Sequence, residues 1–242
     1  MSVQPVTISI ENQQLRGKLY RPEGDPKSIA VLFLHGWTGT PNDPAAAVLA
    51  AQGYYAMTFS MRGHNDSDGD ITKISRQDSL NDALAAYDYF TEQLPESTKI
   101  VLVGNSYGSY ISALTSLERP VVGLSLRVPA PYPDEDFNGP HKGHHDAAVM
   151  NWRRQVHDYN HNRGFKAVHT FTGPIQIIEA ELDDLVPHES VQNYMRAMSE
   201  PAKLDYHLME GWPHSLGSDP RRVADFQRIL LTWLQQIENK VY

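Results

Sequence analysis

Three stretches, Ile29 to Leu34, Ile100 to Val103 and Ile175 to Ile178, are short runs of Val, Ile and Leu with almost no polar interruption. Such unbroken runs suit strands buried on both faces of a parallel sheet. Tyr54 to Phe59, Val121 to Leu126 and Leu204 to Met209 carry a weaker form of the same signal. Between them the pattern turns helical: Ala45 to Gln52, Ser79 to Leu94 with Leu80, Leu84, Tyr87 and Leu94 on one side, Ser109 to Leu117, His188 to Met198, and Arg222 to Ile237. At the start, Val6, Ile8 and Ile10 alternate with polar neighbours, as in a half-exposed strand, and a turn near Glu11 to Gln13 would fold it into a hairpin. Strand and helix in alternation predict an α/β fold, a mostly parallel doubly wound sheet with right-handed crossovers behind an N-terminal hairpin.

One region breaks that rhythm. From Pro131 to Gly173 the apolar periodicity thins, Pro, His, Asn and Asp accumulate, and a helix is expected only near Asp146 to Asn162. A connection this long is usually functional, so residues 131–173 are expected to form a short cap inserted over the C-terminal edge of the sheet. The whole of 1–242 is otherwise expected to be a single domain, a length that α/β folds commonly occupy as one unit.

Composition removes several function classes. The formal net charge is −8, and Lys and Arg are scattered without a run that could track a phosphate backbone, which argues against nucleic acid as a partner. No stretch approaches the roughly 18 to 20 apolar residues that a bilayer span requires, and the N-terminus lacks the basic start and apolar run of an export signal. A cytoplasmic location is the expectation. With no cysteine in the chain there is no disulfide framework, zinc-thiolate site or thiol nucleophile.

The chemistry enters at Gly104-Asn105-Ser106-Tyr107-Gly108, a G-x-S-x-G match with a buried-type strand running into it and a helix leaving it. That is the setting of a nucleophile elbow, in which small residues let a strained serine stand at a tight strand-to-helix turn. A serine hydroxyl needs a base to take its proton and a third group to orient that base. In elbow-bearing α/β folds the acid and then the histidine follow the serine in the chain. Glu181, Asp183 and Asp184 close the strand candidate ahead of Pro187, and His214 follows the last strand candidate in a loop with Gly and Pro.

The chain resembles the α/β-hydrolase superfamily over nearly its whole length. It is most similar in look to small esterases and lipases of the monoacylglycerol lipase and feruloyl esterase type. The residues that carry the likeness are His35-Gly36-Trp37-Thr38-Gly39, Arg62-Gly63-His64, the elbow around Ser106, Asp183-Asp184-Leu185-Val186-Pro187 and Gly211-Trp212-Pro213-His214. Asn65 stands where the family's RGHG segment has its last glycine. The resemblance implies Ser106 as nucleophile, Asp183 as acid, His214 as base and the Trp37 amide as one oxyanion donor. The Tyr107 amide, next after the nucleophile, is the other. Asp184 would then point elsewhere, as a cap for the helix starting near His188.

The expected function is a serine hydrolase, a carboxylesterase of small to medium acyl substrates working through an acyl-enzyme, without cofactor and with a small-molecule ester as partner. A peptide or thioester substrate, or a non-catalytic hydrolase-like binding module, are the alternatives. Three other features carry chemistry-bearing side chains. His141, His144, His145 and Asp146 offer metal ligands, but their spacing lacks the i, i+4 helical pair of a metalloprotease motif, so a surface loop with no metal is expected. Trp152, Tyr159 and Phe165 either line an acyl pocket or pack the cap. Arg62 either reaches a substrate carboxylate or pairs with a surface one.

Overall fold

A hairpin opens the fold: β1 (Ser2–Ile10) and β2 (Gln13–Arg21) pair antiparallel across a turn in which Glu11 takes φ 52°. Then come β3 (Ile29–Leu34), α1 (Asp43–Ala51), β4 (Tyr55–Phe59), α2 (Arg76–Glu92), β5 (Lys99–Asn105), α3 (Tyr107–Glu118) and β6 (Gly123–Arg127). After α4 (Ala147–Arg153) and α5 (Arg163–Thr170), the alternation resumes with β7 (Ile175–Leu182), α6 (His188–Ala197), β8 (Leu204–Pro213) and α7 (Pro220–Glu238). These elements come from a computed structural model that describes residues 1–141, 146–217 and 219–239. No helix among the described residues is long and apolar enough to cross a membrane.

The sheet is open and runs in the order β1-β2-β4-β3-β5-β6-β7-β8, parallel from β4 onward. Its unbroken apolar runs have a simple cause. Alternate residues of a strand go to opposite faces, and here both faces are covered. In β3, Ala30, Leu32 and Leu34 join one core while Ile29, Val31 and Phe33 join the other. β5 divides likewise, Ile100 and Leu102 against Val101 and Val103. The first core takes Phe90 of α2, Ile111 of α3, Phe165 of α5 and Tyr194 of α6; the second takes Leu49 of α1 and Phe226, Leu230 and Trp233 of α7.

From β3 the chain crosses to β4 on one side, and from β5 it crosses to β6 on the other. The crevice at the C-terminal ends of β3 and β5 is therefore a topological switch point, the usual place for a ligand in an open α/β sheet.

Segment 131–173 departs from the expected single helix near 146–162. α4 stops at Arg153 because Asn193, on α6, takes the next backbone groups: its Oδ1 accepts from the His157 amide at 3.0 Å and its Nδ2 donates to the Gln155 carbonyl at 2.8 Å. A second helix, α5, then starts where Asn162 Oδ1 accepts from the Phe165 amide at 2.7 Å. Helix α2 starts at Arg76, three residues earlier than its apolar period suggested, because Ser75 and Asp78 form a reciprocal capping box.

Candidate active site

The elbow follows from two glycines. A Cβ on Gly104 would lie 2.5 Å from the Gly108 carbonyl and the Ser109 Cα, and one on Gly108 would lie 2.2 Å from the Leu34 carbonyl. Only with both hydrogens can β5, α3 and the end of β3 approach this closely. Ser106 between them sits at φ 53°, ψ −114°, a backbone strain of about 1–3 kcal/mol. Its side chain makes no capping bond to α3, so the hydroxyl is left to the cavity. Ser109 Oγ ties the turn by donating to the carbonyls of Gly104 (2.8 Å) and Arg127 (3.1 Å).

Asp183 leaves the end of β7 with its side chain 3% exposed. Its Oδ1 accepts from the amides of Leu185 (2.9 Å) and Val186 (2.8 Å), which fixes the carboxylate in an Asx-type turn. His214 comes directly after β8, and its Nδ1 lies 2.7 Å from Asp183 Oδ2. A carboxylate there accepts a hydrogen bond from Nδ1–H and so fixes the tautomer that leaves the Nε2 lone pair available. Asp184 is exposed and does not cap α6: that helix begins after Pro187 with no side-chain cap. The N-cap position of that helix is held by Pro187, whose carbonyl accepts from the Ser190 amide at 2.9 Å.

Ser106 and His214 line one cavity of about 580 Å³, walled by Gly36 to Asn42 after β3, by Asn105 and Arg127, and by Leu185, Ser215, Leu216 and Val223. Of the expected oxyanion residues, Trp37 lines this cavity, and Tyr107 is buried directly after Ser106 in the chain. Tyr107 is the first residue of α3, so its amide is one of the helix's N-terminal donors with no partner inside the helix. An ideal Cβ on Gly36 would lie 3.4 Å from Ser106 Cβ, which puts the Gly36-Trp37 peptide beside the serine.

One buried histidine bonds that peptide and a second packs on its indole. His35 Nε2 accepts from the Met61 amide at 3.0 Å, so its Nδ1 carries the proton and donates to the Gly36 carbonyl at 2.8 Å. Burial lowers the His35 pKa from 6.5 to about 4, with His64 adding to the effect. His64 is also pushed down by burial, and its ring stands edge-on to the Trp37 indole at 4.9 Å. The Trp37 and Tyr107 rings meet edge to face at 5.2 Å, and His141 stacks on Tyr107 at 5.0 Å. Sequence reasoning read His35 and His64 only as motif letters. It missed Arg127 altogether, although an arginine closing a strand that is buried throughout is a visible signal.

The remaining candidates lie outside that cavity, and Trp152 lines a separate one of about 380 Å³ with Arg76, Tyr132 and Val149. Arg62 is buried, with Nε 2.6 Å from Asp82 Oδ1 and Nη1 3.1 Å from Glu11 Oε2, so it ties α2 to the hairpin and does not line the cavity. Trp152 stacks on His157 (4.2 Å), Tyr159 on His169 (3.8 Å), and Phe165 packs on Tyr194 (5.0 Å). None of these aromatics, and no described residue of 131–173, lines the cavity with Ser106. Among the described residues no group of three His, Cys, Asp or Glu could hold a metal; His144 and His145 lie outside the described residues.

Known proteins repeat this architecture. An α/β serine hydrolase homologue from Coxiella burnetii is 22% identical, with a TM-score of 0.71, covering 96% of this chain and 97% of its own. Est1E from Butyrivibrio proteoclasticus, solved with ferulic acid bound, is 20% identical, with a TM-score of 0.72, covering 96% and 99%. An esterase from Pyrococcus furiosus is 17% identical, with a TM-score of 0.72, covering 97% and 91%. At these identities the likeness shows the α/β-hydrolase fold. No curated protein matches the sequence. The family model of the serine aminopeptidases, S33, matches residues 25–155, more than half of the chain and the part that includes the elbow. With a nucleophile-elbow sequence, an open mostly parallel sheet and that match, the chain belongs to the serine aminopeptidase S33 family of hydrolases.

Proposed function

We propose that the protein is a serine carboxylesterase. Ser106 is the nucleophile, His214 the base, Asp183 the orienting acid, and the amides of Trp37 and Tyr107 form the oxyanion hole. The observation that carries this reading is the Asp183–His214 pair at 2.7 Å, which opens on the same cavity as a strained, uncapped serine. His214 Nε2 takes the Ser106 proton as Oγ attacks the ester carbonyl. The developing oxyanion turns toward two fixed backbone donors, each contributing about 3 kcal/mol. His214 then returns the proton to the leaving alcohol, and water, activated by the same nitrogen, releases the acid. The described residues of 131–173 act as a cap that packs on Trp37 and Tyr107 through His141 and Tyr132 rather than as a wall of the substrate site.

The family's description brings in a second substrate class, the N-terminal amino acid of a peptide. An aminopeptidase binds an α-ammonium, which calls for an acidic group in the cavity. The described lining residues include no Asp or Glu and one cation, Arg127, which supports an ester over an aminoacyl amide. A parallel assay of short p-nitrophenyl esters, thioesters and aminoacyl-p-nitroanilides, each beside Ser106→Ala, tests this. Turnover of esters by the wild type alone is the expected result. Preferential turnover of aminoacyl amides would overturn the ester reading, and equal rates in wild type and Ser106→Ala would overturn the mechanism.

A further inference from the structure

His214 emerges from β8, three strands away from β5 and the serine. At about 4.8 Å per strand, that is roughly 14 Å to reach back across the sheet edge. Asp183 holds the imidazole, but a ring held at one nitrogen still moves with its main chain. The loop that carries it is thinly tied: after His214 it turns through Gly217 at φ 58°, braced by a bond from the Gly217 amide to Ser215 Oγ.

Arg127 fills that gap. It ends β6, the strand between β5 and β7, directly opposite Asn105 in register. Its guanidinium donates from Nε to Asn105 Oδ1 at 2.8 Å and from Nη1 to the His214 carbonyl at 2.9 Å. The Arg127 carbonyl accepts from the Ser106 amide at 2.8 Å. One residue thus touches the position before the nucleophile, the nucleophile's own amide and the backbone of the histidine. Arg127 is 6% exposed, and burial lowers its pKa to about 10, against which Asp183 acts to keep the charge. A buried cation is costly unless its hydrogen bonds are needed.

We infer that Arg127 is a positioning residue of the proposed serine-hydrolase site, a planar clamp that fixes the His214 main chain against the nucleophile elbow. The role rests on the Ser106 reading above. It requires arginine, because two bonds at a fixed angle come from one planar group, whereas a lysine ammonium is a single point on a flexible stem.

The test compares Arg127→Lys, which keeps the charge, with Arg127→Met, which removes it, using p-nitrophenyl acetate turnover, fluorophosphonate labelling rates and the downfield proton resonance of the His214 Nδ1–H. Both variants should lower kcat by about a hundred-fold with little change in KM, as expected for a base displaced by about 1 Å. Labelling should slow in parallel, and the resonance should broaden or disappear. Unchanged kcat and an intact resonance in either variant would overturn the clamp. So would a loss confined to carboxylate-bearing esters and absent from neutral ones of the same size, since that would mean direct contact with substrate. If both variants fail to fold, Asn105→Ala severs the elbow end alone and must also weaken turnover and the resonance; no change in either would again overturn the clamp. A wild type that never labels would sink the hydrolase reading by itself, while the resonance would still judge the clamp.

Discussion

Two regions border the C-terminal edge of the sheet, and they do opposite things. The loops after β3 and β8 are short, and their residues 36–42 and 214–217 wall the cavity that holds Ser106. Segment 131–173 is long and rich in histidine and aromatics, and its described residues pack on the body of the fold: Arg153 is fully buried over the Tyr132 ring, and its Nη1 donates to the Leu185 carbonyl at 2.8 Å. The contrast teaches that chemically rich side chains do not locate a site. The long segment stacks its rings on one another and lines a separate cavity, whereas the short loops wall the space that Ser106 and His214 share.

The sharpest way to break that comparison is in the loops and strand ends. Ser106→Ala should reduce ester turnover by about a million-fold, and Asp183→Asn by about ten-thousand-fold. Asp184→Asn, at an exposed neighbour with no role in the turn, should change kcat less than about twofold. Steady-state assays of the three variants check this, and a reversed order of the two aspartates would reassign the acid. Next in size, His35→Gln removes the bond that orients the Gly36-Trp37 peptide and should lower kcat by about a hundred-fold at similar KM, the scale of one lost oxyanion donor.

In the long segment the loss should fall on stability instead. Phe165→Ala leaves a cavity against Tyr194 and should cost about 3–5 kcal/mol in urea unfolding with kcat/KM for p-nitrophenyl acetate unchanged. A parallel fall in kcat/KM would show that this segment shapes the site after all. Leu216→Trp should do the reverse: it fills the cavity mouth and lowers kcat/KM for long-chain esters first, with little effect on unfolding.

The smallest effect is in pH. Folded His35 stays neutral down to about 4, whereas in the unfolded chain it takes up a proton below about 6.5. The unfolded state therefore binds more protons in that window, and stability falls as pH drops from 6.5 toward 4. This group contributes at most about 1.4 kcal/mol per pH unit. Urea unfolding at pH 7 and pH 5 should show a steeper loss for the wild type than for His35→Gln.

Much of the architecture was legible because the causes were local. β3, β5 and β7 read as continuous apolar runs since both faces are buried, and the hairpin read as alternation since β1 has one face in solvent. The elbow was legible because glycine is required where backbones close to van der Waals contact. Long-range partners were not legible. α4 stops because Asn193, on another helix, takes its next backbone groups, and α5 needs Gly164 because a Cβ there would strike the Tyr110 ring at 2.7 Å. Arg127 meets His214 across 87 positions of sequence, with no spacing rule to announce the pair. Asp184 stands before a helix, where acidic residues often cap, but the N-cap position falls three residues later on Pro187.

The most direct test of the central claim is to treat folded protein with a fluorophosphonate and map the adduct by peptide mass spectrometry. A single stoichiometric adduct on Ser106, lost in Ser106→Ala and strongly slowed in Asp183→Asn, is the predicted result. No adduct on the folded chain, or one on a different residue, would contradict it.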